Sequence, residues 1–126
     1  MAEVIPNVKL VKSARDLRVY KEAFAISLEV HKRTLQFPKI EQYALGDQMR
    51  RASKSICANL AEGFARQLAS EAEFRRFIVI ASGSSAEMQV WVEYAAALEY
   101  ITREESLVWS DKYDHISRML QNLKAH

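Results

Sequence analysis

A chain of 126 residues, 49% of them apolar, with a formal charge of +2 suits one domain that buries roughly two thirds of the surface its unfolded form exposes. That size leaves no room for a separate catalytic module. No stretch approaches the roughly 20 uncharged apolar residues of a membrane-crossing helix, the N-terminal run MAEVIPNVKLVKSAR has no continuous apolar core of a secretory signal, and Cys57 is the single cysteine, so the expected setting is cytoplasmic.

Three glycines and two prolines predict long uninterrupted helices, and apolar residues recurring at spacings of three and four place four of them. The first is expected over 14–36, with Leu17, Tyr20, Phe24, Leu28, His31 and Leu35 as its core stripe. Ser13 and Asp16 have the spacing of a helix start, and Pro38 ends the segment because the residue before a proline avoids the α region. The second is expected over 40–65, with Leu45, Met49, Ala52, Ile56, Leu60 and Gly63 facing inward. At about 100° per residue, Gln48, Ser55, Asn59 and Glu62 lie beside that stripe, while Arg50, Lys54 and Ala61 point away.

Ser70 and Glu73 form an S-x-x-E capping box, so a third helix begins near Glu71. It is expected to reach about Ile101, with Phe77, Ala81, Ser84, Met88, Trp91, Ala95 and Leu98 along a coiled-coil-like seam. Thr102 and Glu105 repeat the box and start a fourth helix over 103–124, whose stripe is Trp109, Tyr113, Ile116, Leu120 and Leu123. Short connections between long helices predict an all-α, antiparallel up-down four-helix bundle spanning residues 1–126 as one domain.

Six small residues, Ala81 to Ala86, lie in the middle of the third helix, where the glycine alone costs about 1 kcal/mol relative to alanine. Small side chains let another helix backbone approach, so Ala81, Gly83 and Ser84 are read as a tight crossing within or between subunits. A local loop that splits the helix is the alternative.

Polar residues beside the second helix's apolar stripe are expected to form a structural or intersubunit network, with a ligand-facing role as the alternative. Gln48, Arg51, Ser55, Asn59 and Glu62 form a band whose groups must be hydrogen-bonded if buried, with Arg51 and Glu62 as ionic partners. Cations are concentrated in residues 1–82, which carry 14 Lys/Arg against 9 Asp/Glu, whereas residues 83–126 carry 4 against 7. Arg50, Lys54, Arg66, Arg75 and Arg76 are therefore the candidate contacts to a phosphate backbone; a plain solvated face is the competing reading.

Catalytic and metal chemistry find little support. No Glu-x-x-His pair projects from any segment, Asp111 and His115 are an isolated i, i+4 pair, and His31 sits on an apolar face. Cys57 is mid-helix with no neighbouring histidine in sequence to lower its pKa. The helical ribonuclease toxins of the HEPN type carry an arginine four to six residues before a histidine, and His31, His115 and His126 have none there. Trp91, Trp109, Tyr94, Tyr100 and Tyr113 fall mostly at core spacing rather than as a base-stacking platform, with Tyr94 and Tyr100 the two suited to an interface. No cofactor, metal or catalytic residue is expected.

Three strings carry a resemblance: DLRVYKEA from Asp16 to Ala23, QMRRASKSICANLAEG from Gln48 to Gly63, and FIVIASGSSAEM from Phe77 to Met88. Together they resemble the four-helix-bundle family of 23S rRNA intervening-sequence proteins, over about residues 16–123. Gln48, Arg51, Ser55, Asn59 and Glu62 match the family's motif, while Cys57, Leu60 and Met88 depart mildly from it. The resemblance implies a subunit that forms a homopentameric barrel, as does the similar accessory protein of diversity-generating retroelements, a basic barrel that binds a reverse transcriptase and nucleic acid. The resulting expectation is a non-enzymatic homo-oligomeric scaffold or adaptor engaging RNA, DNA or a reverse-transcriptase-like protein; the alternative is a helical protein-interaction hub that binds no nucleic acid.

Overall fold

Four helices form, and in most cases their ends are set by local side chains. The computed structural model describes residues 3–5, 8–11 and 13–125, with α1 over Arg18–Thr34, α2 over Leu45–Arg66, α3 over Glu71–Ala97 and α4 over Arg103–Ala125. Two short strands, Glu3–Ile5 and Val8–Val11, pair antiparallel ahead of them. Ser13 and Asp16 do bond, the Ser13 N–H donating to the Asp16 carboxylate at 3.2 Å, but they close a 3₁₀ turn over Ala14–Asp16. Leu17 is extended, and α1 starts only after it.

The link from α1 to α2 is longer than expected and is tied down by side chains. A 3₁₀ turn covers Lys39–Glu41, and α2 begins at Leu45. The Gln42 amide donates to the Thr34 and Phe37 carbonyls at 2.9 and 3.0 Å, serving the orphan acceptors that a helix C-terminus leaves. Arg50 reaches back from α2, donating to Gln42 O at 2.6 Å and Thr34 Oγ1 at 2.9 Å.

The expected box at Thr102 forms in full and the one at Ser70 by half, since the Ser70 N–H donates to Arg66 O and the Glu73 carboxylate turns to Arg76. Glu73 N–H donates to Ser70 Oγ at 3.1 Å; Glu105 N–H donates to Thr102 Oγ1 at 3.0 Å, and Thr102 N–H to Glu105 Oε1 at 2.8 Å. Helix α3 stops at Ala97, short of Ile101, because Glu99 turns left-handed at φ 63°. Tyr100 N–H then bonds Ala95 O and Glu99 N–H bonds Ala96 O, which is the Schellman pattern without its usual glycine. Packing of the Tyr100 ring on Phe37, centroids 5.2 Å apart, and its hydroxyl bond to Glu41 at 2.8 Å hold the turn in place.

Contacts between helices give an antiparallel bundle. Thr34 meets Arg50 while Tyr20 O meets Cys57; Ser55 meets Ser84 while Gly63 meets Phe74 and Phe77; Arg33 pairs with Glu105 while Glu29 pairs with Lys112. Each helix therefore packs on its chain neighbours, α4 returns to α1, and α1 and α3 stand at opposite corners.

The inner stripes of α2 and α4 are those expected: Met49, Ala52, Ile56 and Leu60 on one, Trp109, Tyr113, Ile116, Leu120 and Leu123 on the other, are buried. Those of α1 and α3 differ. On α1, Phe24, Leu28 and Leu35 remain 48%, 46% and 57% exposed, and Val19, Ala23, Ile26, Val30 and Thr34 are buried instead. On α3, Phe74, Ile78, Ser85 and Val92 join Ala81, Met88 and Ala95 inside, whereas Phe77 is half-buried and Leu98 is exposed. Each of these helices carries apolar residues on more than one face; on α1 the bundle takes the stripe with smaller or β-branched side chains, over which helices approach closely.

Candidate functional site

The interior polar seam is built where α3 crosses its neighbours. Ser84 Oγ donates to Ser55 Oγ at 2.8 Å, and the Asn59 amide donates to Ser55 O and Oγ at 2.8 and 2.9 Å. On the other side Ser85 Oγ donates to Tyr113 O at 3.1 Å and shares a 2.8 Å bond with Ser117. The small-residue stretch is a continuous part of α3. Ala81 and Ser84 are buried, whereas a Cβ on Gly83 would meet nothing within 4 Å. Helices α2 and α3 therefore meet at Ala81 and Ser84 but not at Gly83, and they also approach closely at Gly63, where an added Cβ would stand 3.1 Å from Phe77 Cβ.

The polar band on α2 divides. Ser55 and Asn59 join the seam, but Gln48, Arg51 and Glu62 are exposed. Arg51 pairs with Asp47 at 3.0 Å and Glu62 with Arg66 at 3.0 Å, so the expected Arg51–Glu62 pair does not form. Both acids are one helical turn away from their partners.

The five candidate phosphate-binding cations divide too. Arg50 is half-buried and committed to Thr34 and Gln42. Arg66 pairs with Glu62 and lies 3.9 Å from Glu73, and Arg76 pairs with Glu73 at 3.1 Å. Both guanidinium groups also lie over the Phe77 ring, at 5.4 and 4.8 Å from its centroid. Lys54 and Arg75 are exposed and stand outside every ion pair among the described residues. Arg50 and Arg66 are about 24 Å apart along α2. The cations thus form two groups rather than one track: Lys54 beside Arg50 and His31, and Arg75 at the α2–α3 corner.

Groups with catalytic potential are held apart. Partial burial, then Lys54 and Arg50, push the His31 pKa below its ordinary value. His115 Nε2 faces Glu22 at 3.7 Å on the α1–α4 surface. Burial raises the Cys57 pKa to about 11, and its sulfur faces the Tyr20 carbonyl at 3.7 Å, which makes it a poor nucleophile. The Tyr113 hydroxyl is buried without a hydrogen-bond partner, and burial raises its pKa strongly. Among the described residues no group of three or more His, Cys, Asp or Glu side chains is placed to hold a metal ion, and no helix is long and apolar enough to cross a membrane.

The feature that sequence reasoning missed is apolar and outside. Phe24 and Leu28 on α1 and Leu35 just after it, Val79, Ile80, Val90 and Tyr94 on α3 and Leu98 just after it, and Ile40 and Tyr43 in the α1–α2 link are all exposed. A signal for it was present: α3 carries apolar residues beyond a single stripe, and an apolar residue outside the core-facing stripe needs another cover.

Fold and surface define a four-helix bundle with a hydrogen-bonded interior seam and exposed apolar side chains on its outer helix faces. The chain belongs to the family described as 23S rRNA-intervening sequence protein, whose model matches residues 15–122. Among solved structures it is similar to a protein of unknown function from the S23 ribosomal protein family of Bacteroides thetaiotaomicron. Identity to that protein is 25%, with a TM-score of 0.73 over 86% of this chain and 96% of the other. No curated protein matches the chain.

Proposed function

We propose that this protein is a non-enzymatic, homo-oligomeric scaffold or adaptor, with the pentameric ring implied by its family resemblance as the assembled form. The observation that carries the reading is the pair of unpartnered apolar faces on α1 and α3. Contiguous apolar surface on a folded chain marks a contact with another molecule. Two such faces at opposite corners suit a head-to-tail assembly, which needs two different surfaces per copy, better than a two-fold dimer, which needs one.

Nucleic acid, or an enzyme bound to it, is the cargo this reading assigns, met at Lys54 and Arg75 with the Phe77-stacked Arg66 and Arg76 beside the latter. One copy offers few free cations, so affinity rests on their repetition around the assembly. Anisotropy of labelled RNA and DNA oligonucleotides tests this. Binding that weakens steeply with added salt and is lost in Lys54→Ala/Arg75→Ala supports the nucleic-acid cargo. An assembly indifferent to both oligonucleotides at low salt shifts the reading to a hub for protein partners.

A further inference from the structure

We infer that the groove between α1 and α4 binds a small zwitterion, of the size of a free amino acid or a dipeptide, with its apolar body against Val108 and Trp109. The groove holds about 500 Å³, within the ordinary range of a small-molecule site. It lies inside one copy of the chain and so stands apart from assembly. Ion pairs tie its two helices together, Arg33 with Glu105 at 2.8 Å and Glu29 with Lys112 at 3.2 Å. The Arg33 guanidinium donates twice to the Glu105 carboxylate and once to Gln36 at 3.2 Å. A forked pair of this kind holds one geometry, which leaves the groove formed before any ligand arrives.

The indole of Trp109 marks the site. Trp109 is 4% exposed and lines the groove. Its Nε1–H has no hydrogen-bond partner among the described residues, yet it is not sealed in the core as the Tyr113 hydroxyl is. A buried indole N–H ordinarily finds an acceptor, as that of Trp91 does in the Glu87 carboxylate at 3.0 Å. Trp109 thus keeps a donor open for an acceptor on a bound molecule.

Charge sets the class of that molecule. Ion pairing takes up Glu29, Arg33 and Glu105, whereas Lys32 on the α1 wall and Glu104 on the α4 wall are exposed and outside every ion pair among the described residues. A phosphate or other plain anion meets three carboxylates here, and a plain cation meets Lys32 and Arg33. A zwitterion meets the opposite sign at both ends: its carboxylate takes the Lys32 ammonium and the Trp109 N–H, and its ammonium takes Glu104.

Nuclear magnetic resonance of the chain carrying nitrogen-labelled tryptophan tests the site, because it resolves the two indole N–H signals and Trp91→Phe assigns them. L-leucine and glycyl-leucine are each titrated to about 10 mM. The expected result is a saturable downfield movement of the Trp109 signal, with a Kd of about 1 mM for at least one of the two, while the Trp91 signal stays in place. N-acetyl-leucinamide, which carries neither charge, leaves both signals unmoved. Lys32→Ala and Glu104→Ala, both at exposed positions, keep the helical circular dichroism of the native chain and each raise that Kd about fivefold. A Trp109 signal indifferent to both zwitterions overturns the inference. So does a movement that N-acetyl-leucinamide reproduces, or one that persists at native affinity in Lys32→Ala/Glu104→Ala.

Discussion

Gly63→Ala sets helix propensity against packing at the α2–α3 crossing. Alanine inside a helix is favoured over glycine by about 1 kcal/mol. Here, however, the new methyl stands 3.1 Å from Phe77 Cβ and 3.4 Å from Phe74 O, against about 3.5–4.0 Å for relaxed carbon contact. Neither atom is the end of a flexible side chain, so relief requires the two helices to separate by several tenths of an ångström. Overpacking of that kind costs about 1–3 kcal/mol, and subtracting the propensity gain leaves a net loss of about 1 kcal/mol. Ala58→Gly, at an exposed site on the same helix, lacks the steric part and loses about 1 kcal/mol by propensity alone. Urea unfolding at one fixed protein concentration measures both. The reasoning predicts that glycine is better at 63 and alanine better at 58; a Gly63→Ala protein more stable than the native chain by about 1 kcal/mol refutes it.

Further outcomes follow from the helix ends and the seam. Glu99→Gly removes the left-handed strain at φ 63° and raises stability by about 1 kcal/mol in thermal melts. The bond from Arg33 depresses the Glu105 pKa, offset in part by burial. Its contribution is therefore present above the ordinary carboxylate pKa and is lost as pH falls through the depressed value. Glu105→Gln accordingly costs about 1 kcal/mol at neutral pH, and the difference from the native chain closes in acid unfolding curves as the pH falls through that depressed value. Arg50→Ala frees Thr34 Oγ1 and Gln42 O, costs about 1–3 kcal/mol, and speeds proteolysis within residues 39–44. Ser85→Ala leaves Ser117 without the hydroxyl it bonds and lowers the urea midpoint by the equivalent of about 1 kcal/mol.

How much was legible in the sequence depends on how many apolar faces a helix has. Helices α2 and α4 have one, and Met49, Ile56, Tyr113 and Leu120 were placed inside from period alone. The helix starts after Ser70 and Thr102 were readable because a hydroxyl N-cap is local chemistry, although the Glu73 carboxylate pairs with Arg76 instead of closing its box. Helices α1 and α3 have two, and period does not tell which one faces the chain's own core; bulk favours Phe24 and Leu28, but close packing puts Ala23 and Val30 there. The stop of α3 was hidden because glutamate, not glycine, holds its left-handed position. Among the candidate site residues, face assignments held for Ser55 and Lys54. Ion pairing was not readable, because Asp47 and Arg66 compete at one turn's distance for the partners assigned to each other.

The central claim, that the exposed faces of α1 and α3 are covered by further copies, is tested most directly by light scattering coupled to size exclusion across a micromolar dilution series at moderate salt. The account predicts one dominant species with several times the mass of the chain, five times for the pentameric ring. A single species of monomer mass throughout the series contradicts it.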